Sequence, residues 1–523
     1  MLRVNVAAAV VSGVTLLAGC PGPKRPVTPP PPRLVVLLIV DQLPQWSFIE
    51  KRPQLTGGFD RLLREGDWHT GRHPTPATLT SPGHALLGSG EPPAHSGILA
   101  NEWWDRESER MVRSIEDPAG GSSAVRMRVP GLGDAVAAAH TGAKAVAVSL
   151  KERAAILTLG HHGTPIFYDR KAVAFASTQR LAWLDAYNRA HPIAAHLHDV
   201  WTPLDPARLA RLSGVADDQP GETGAKTFGP TFPHDLAATK DPADAVFAVP
   251  LGNELVFATA LAAIDGEHLG ADATPDLLIL SLSAHDYAGH GWGHESWESW
   301  DMTLRLDRQL ADFLAALDTK IGANRWAMIV TSDHGASRLP ERVDGGRITP
   351  EMLIDAANRA AIAELGPGDW IAAVKYPTLW LTAAARAQPD RERGIAIKKI
   401  MFALRSFPGI TQVGKSTDFA GHCETRTGDA FAICMMLDPE RSGEVFFLPK
   451  PGWIFHDADE PTAAAHGSFQ DYDRDVPVIM VPSDRPAPHL PLTAPSSTTI
   501  EMVRISTVIA NWLGVTPPLS LPR

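Results

Sequence analysis

Five short apolar runs recur along this chain, and three of them lead into a segment carrying an aspartate. They are VVLLIVD, KAVAVS, LLILSLS, WAMIVTS and VPVIMVPS. Continuous apolar runs of this length predict strands buried on both faces of a parallel sheet. Between them lie stretches with apolar residues at helical spacing, such as GNELVFATALAAIDGEHL and SWESWDMTLRLDRQLADFLAALDTKI. Strands alternating with helices predict an α/β fold with a doubly wound, mostly parallel sheet. In such a sheet, ligands bind outside the carboxyl ends of the strands. Residues distant in sequence therefore meet there.

The residues at those ends are metal-ligand types. Asp41 closes the first run; Asp286 and His290 follow LLILSLS in AHDYAGH; Asp333 and His334 follow WAMIVTS. His466, in AAAHGS, precedes VPVIMV. A single Asp after a strand is ordinarily a turn or helix-cap residue, and a single His a satisfied polar group. That reading does not account for three strand ends carrying Asp, two of them with His. Three carboxylates and three imidazoles suit zinc, and suffice for two ions if another group joins. Two metals about 3.5–4 Å apart clamp an in-line displacement at phosphorus. The expected chemistry is phosphate-ester hydrolysis.

The chain has 523 residues, 44% of them hydrophobic, enough for a large core. Its formal net charge of −11 argues against a nucleic-acid partner. No internal stretch reads as a bilayer span. Residues 1–20 read as a signal peptide ending in Leu17-Ala18-Gly19-Cys20, similar to a bacterial lipoprotein signal, with lipid expected on Cys20. Residues 21–33 are a Pro-rich, semi-rigid tether. The protein is thus expected to be exported and held at a membrane, in the periplasm or at the cell surface. Residues 34–339 and 461–523 form the expected catalytic domain. Residues 340–460 form a small α+β cap insertion, with AFAICMML among its strands. Residues 180–245 read as an insertion made mainly of loops. STTIEMVRISTVIANWLG reads as a closing helix. Cys423 and Cys434 are either disulfide-bonded or buried thiols.

The segment TLTSPGH starts a helix, because Pro82 suits a first turn. Thr80 then stands at or beside the N-cap, next to free backbone amides that favour an anion. In isolation it is a cap; beside a metal that lowers its pKa it becomes a nucleophile.

Thr80-Ser81-Pro82-Gly83-His84, followed by SGILANEWWD, resembles the alkaline phosphatase superfamily with a Thr nucleophile. The branch it resembles is the phosphate-irrepressible bacterial alkaline phosphatases, sisters of the nucleotide pyrophosphatase/phosphodiesterases. The resemblance runs from residue 34 to 515. It implies two zinc ions per chain. Asp41, Thr80, Asp333 and His334 would hold one, and Asp286, His290 and His466 the other. It also implies a phospho-threonine at Thr80, with Asn101 on a phosphoryl oxygen. Lys151 and Arg153, in SLKER, match a Lys-x-Arg pair found in the monoesterases. On an extended segment the two would point the same way, toward a monoester's second charge. Small phosphate monoesters are the expected substrates. The alternatives are a phosphodiesterase of the same superfamily and a non-catalytic metal- or phosphate-binding lipoprotein. Neither the physiological alcohol nor the oligomeric state can be read from the sequence.

Overall fold

In the computed structural model, parallel pairing brings the predicted strand ends level. The described residues are 31–457, 462–485 and 488–521, so Cys20 and residues 1–30 lie outside them. Among the described residues, nine strands form the main sheet. Their order is Ser496–Glu501, Asp67–Arg72, Asp475–Val481, Trp326–Thr331, Leu34–Val40, Asp276–Leu282, Ala145–Ser149, Thr164–Asp169 and Ala174–Ser177. The five from Trp326–Thr331 to Thr164–Asp169 are parallel to one another. Ile39 stands opposite Thr331, Val40 opposite Leu282, and Ser281 opposite Ser149. The chain therefore leaves the sheet at one level, at Asp41, Ser283, Leu150 and Ser332.

Leu34–Val40 is buried throughout because it packs on both faces. Val36, Leu38 and Val40 face one core with Leu310, Phe313 and Val256, from the helices Trp297–Lys320 and Pro250–Glu267. Val35, Leu37 and Ile39 face the other, with Ile505, Ile509 and Leu132. Each fully buried aliphatic side chain contributes about 1.5–3 kcal/mol. A polar replacement at any one of these positions would disrupt the layer that its side chain faces.

A second, antiparallel sheet has the order Ile371–Lys375, Thr378–Leu381, Val445–Pro449, Ile410–Lys415. The helices Pro350–Leu365 and Asp390–Arg405 pack against it through Leu353, Ala357, Ile397 and Ile400.

Three local expectations are corrected. AFAICMM is helical, within Gly428–Met436, where Ile433 and Met436 join the core of the second sheet while Met435 packs with Cys434, which bonds to Cys423. The disulfide alternative therefore holds. Ser496–Glu501 is an edge strand, and the closing helix starts only at Ile505. Its Thr and Ile residues are β-branched and pair beside Asp67–Arg72. Residues 180–245 contain the helices Ala182–Ala190 and Pro206–Ser213, the second begun by Asp205 as a cap, and the short helix Pro242–Ala245.

Candidate metal centre and active site

Thr80 is the first residue of the helix Thr80–Ser89, and Leu79 is its extended N-cap residue. Pro82 sits in the first turn, where a missing N–H costs nothing. Gly83 lets this helix start touch the end of the Trp326–Thr331 strand: a Cβ there would lie 2.3 Å from the Asp333 carbonyl oxygen. The nucleophile candidate is thereby packed against a ligand candidate. The Ser81 amide donates to Asn101 Oδ1 over 2.9 Å. With Oδ1 engaged, the Asn101 amide group is the part left to donate.

Six predicted ligands converge. His290 Nε2 lies 3.2 Å and His466 Nε2 3.7 Å from Asp286 Oδ1. His334 Nε2 lies 3.6 Å from Asp41 Oδ1 and 3.3 Å from Asp333 Oδ2. The rings of His334 and His466 stack at 3.7 Å, which joins the two groups. Asp286, His290 and His466 form one compact ligand cluster, and Asp41, Asp286 and His334 another. Asp286 belongs to both.

The donor set fits metal ions. His290 Nδ1 donates to the Ala464 carbonyl at 2.9 Å, His466 Nδ1 to that of Thr78 at 2.7 Å, and His334 Nδ1 to that of Gly335 at 3.0 Å. A carbonyl only accepts, so each ring carries its proton on Nδ1 and turns the Nε2 lone pair inward. Asp41 Oδ1, Asp333 Oδ2 and His334 Nε2 are buried without a hydrogen-bond partner. Buried, unpartnered acceptors facing one another are costly unless a cation stands between them.

Burial dominates the local electrostatics. It raises the Asp41 pKa well above the usual range, with Asp286 and Asp333 adding repulsion. Burial acts the same way on Asp286, but Lys151 and His290 outweigh it and hold that carboxyl well below the usual range. Burial lowers the pKa of His334 and His466, which favours the neutral, ligating form.

Lys151 and Arg153 do not share one extended segment, which corrects the sequence reading. Ala145–Ser149 ends before them; Lys151 is the N-cap of the helix Glu152–Leu159, and Arg153 lies in its first turn. The Ser149 hydroxyl accepts the Lys151 amide, which turns the chain into the helix. Lys151 Nζ is buried and contacts Asp41 Oδ2 at 2.6 Å and Asp286 Oδ2 at 2.5 Å. Arg153 instead lines a cavity of about 790 Å³ with Thr80, Asn101, Asp286, His290 and His466. Its Nε is buried without a partner.

Some contributors were missed in the sequence. Gln42, in a left-handed conformation at φ 59°, donates to Asp286 Oδ1 at 2.7 Å, and its side-chain oxygen lies 2.9 Å from His294 Nε2. His84 lies 3.2 Å from Asp333 Oδ2 and bonds Ser281 Oγ through its other nitrogen. Adjacency to Asp41 and to Thr80-Ser81-Pro82-Gly83 was the available signal for both. Lys226, Lys375 and Tyr376 also line the cavity. They come from segments whose position no strand-end argument could give.

This fold and this site define a hydrolase of phosphate esters in the alkaline phosphatase superfamily. The chain belongs to the type I phosphodiesterase / nucleotide pyrophosphatase family, whose model matches residues 35–473. It is 28% identical over 500 residues to alkaline phosphatase PafA of Elizabethkingia meningoseptica, covering 90% of each chain. It is 30% identical over 494 residues to alkaline phosphatase PhoK of a Sphingomonas species, covering 87% of this chain and 84% of that one. The crystal structure of wild-type PafA superimposes with a TM-score of 0.83 at 24% identity, covering 95% of this chain and 99% of that one.

Proposed function

We propose that this protein is an exported phosphate monoester hydrolase that uses two zinc ions and a phospho-threonine at Thr80. The observation that carries the reading is the cavity that joins Thr80, Asn101 and Arg153 to the ligand cluster Asp286, His290 and His466. The likeness to two alkaline phosphatases supports monoesters as substrates. Asp41, Thr80, Asp333 and His334 would hold one ion, and Asp286, His290 and His466 the other. Bound there, divalent ions stabilise negative charge on the attacking and leaving oxygens.

The chain's own residues do the rest. Thr80 gives up its hydroxyl proton and Oγ1 attacks phosphorus in line, so its bond to phosphorus forms as the ester P–O bond breaks and the departing alkoxide takes up a proton from solvent. The Asn101 amide and the Arg153 guanidinium donate to the non-bridging oxygens as they gain charge. Lys151, buried against Asp286, adds a second cation. Water then displaces Thr80 from phosphorus, which releases phosphate and restores the hydroxyl. Two in-line displacements give net retention at phosphorus.

LAGC and the Pro-rich stretch after it support export and a lipid on Cys20, and the Cys423–Cys434 disulfide is compatible with an oxidising compartment. One acyl chain holds only marginally, so stable anchoring would need two or more. Cys20→Ala should shift the protein from the membrane to the soluble fraction.

The deciding experiment compares kcat/KM for a phosphate monoester and its methyl diester, with metal analysis of the same zinc-reconstituted sample. Monoester preference with bound zinc is expected. Preference for the diester would favour the phosphodiesterase reading that the family's name also covers. A metal-free, inactive protein would leave only a binding role.

A further inference from the structure

The helix Ala284–Trp292 carries Asp286 and His290 one turn apart, on the same face. Gly289 lies between them and leaves a gap in the helix surface. A Cβ there would run into Gln42 Oε1 and lie 2.8 Å from His294 Nε2. The Gln42 side chain reaches that gap from just beyond the Leu34–Val40 strand. Its backbone sits at φ 59°, a conformation that a non-glycine residue keeps only where its surroundings hold it. The holds are visible. The Gln42 backbone amide donates to Asp333 Oδ1 at 3.3 Å, and the Gln42 carbonyl accepts from His285 Nδ1 at 3.1 Å.

The side-chain amide has one workable orientation. Its nitrogen lies 2.7 Å from Asp286 Oδ1 and 3.1 Å from His290 Nε2. His290 carries its proton on Nδ1, so both of these neighbours accept. Turned the other way, the amide would set its oxygen against both. The NH2 group therefore gives one N–H to each ligand candidate. The amide oxygen faces His294 Nε2 at 2.9 Å and only accepts, so that nitrogen carries the His294 proton. His294 is buried, and its Nδ1 has no partner among the described residues, so no other acceptor competes for the proton. Asp286 is thus held at both oxygens. Lys151 takes Oδ2, and Gln42 takes Oδ1, the oxygen nearest His290 and His466.

We propose that Gln42 is a positioning residue of the metal centre, and that His294 fixes the direction of its amide. Gln42 gathers Asp286 Oδ1 and His290 Nε2 before an ion arrives, and ligands held in place in advance bind more tightly. Its N–H to His290 is given up when an ion takes that lone pair. Its N–H to Asp286 stays and keeps the carboxylate turned toward the two imidazoles. This inference rests on the metal-centre reading of the site.

The test measures zinc affinity of the full chain by competition with a chelating dye, together with Tm and monoester kcat/KM at limiting and saturating zinc. Gln42→Gly suits the left-handed backbone and removes only the side chain. It should weaken zinc binding about 10–100-fold, as for other residues that orient metal ligands. Saturating zinc should recover activity that limiting zinc does not. Gly289→Ala favours the helix by propensity, yet its Cβ displaces the Gln42 amide, so zinc binding should weaken there too. His294→Leu should weaken it in the same direction. His294→Gln keeps an N–H donor in place of Nε2 and should stay close to the unaltered chain. Unaltered zinc affinity in Gln42→Gly would overturn the positioning role, and a lower Tm alongside it would make Gln42 a structural residue. Equal weakening in His294→Leu and His294→Gln would overturn the part given to His294. If the unaltered chain takes up zinc and every variant matches it, only this inference fails. If the unaltered chain takes up none, the metal centre fails with it.

Discussion

His466 donates its Nδ1 proton to the carbonyl oxygen of Thr78 across 2.7 Å. The bond ties a ligand candidate from the end of the chain to the turn just before Thr80. The Thr78 hydroxyl adds two more links, accepting from the Gly467 and Ser468 amides at 3.2 and 3.3 Å. The nucleophile candidate and the ligand candidate are thus held by one local network, and their spacing does not depend on the sheet alone.

Removing ligands should remove metal. Asp286→Ala takes away the carboxylate shared by both clusters, and should cost more bound metal than His334→Ala, which affects one. Elemental analysis after zinc reconstitution and buffer exchange measures this. Wild-type stoichiometry in Asp286→Ala would refute the metal centre.

Thr80→Ser should keep appreciable phosphatase activity, because it preserves an oxygen nucleophile at the same helix start. Thr80→Ala should lose about 10³-fold or more in kcat, as other enzymes do without their nucleophile. Acid-quenched protein incubated with labelled phosphate ester should carry label on Thr80. Near-normal turnover in Thr80→Ala would rule out the covalent route.

Lys151→Ala with Arg153→Ala should lower monoester kcat/KM by about 10²–10³-fold, in line with removing groups that stabilise developing charge. The methyl diester should lose much less, since it lacks the second negative charge. Lys151 also offsets the charge of Asp41 and Asp286, so the double variant needs a metal count alongside its kinetics. Equal losses on both esters at full metal occupancy would remove substrate discrimination from this pair.

Alkaline stability should depend on Glu298. Its side chain is fully buried against His234, with a 2.9 Å contact between Oε1 and Nε2. Burial, then repulsion from Glu222, pushes its pKa from 4.5 up to about 10. A raised folded-state pKa gives stability that is full below the unfolded value and lost as pH rises through the folded one. Stability should therefore decline between pH 4.5 and 10, by at most about 1.4 kcal/mol per pH unit. Glu298→Gln stays neutral and should flatten the fall of Tm between pH 7 and 10. An unchanged slope would mean another group titrates.

The sequence by itself determined the parts governed by local pattern. Uninterrupted runs such as Leu34–Val40 can be satisfied only between two apolar layers, so the central strands were legible. Their carboxyl ends then nominated Asp41, Asp286 and Asp333, because parallel register forces those ends together. Pro82 marked the helix start at Thr80 for an equally local reason. Short apolar stretches were ambiguous. AFAICMM became a helix and STTIE an edge strand, since packing partners and a disulfide outweigh propensity over a few residues. Only the tertiary structure decided the direction of side chains. It placed Lys151 beneath the ligands and Arg153 in the cavity, because a helix begins between the two. It brought in Gln42 and His84 through contacts with Asp286 and Asp333. It also set Lys226 beside Tyr287, across a sequence gap that no periodicity spans. Such contacts arise from long-range packing, and their geometry is fixed only once the layers have closed.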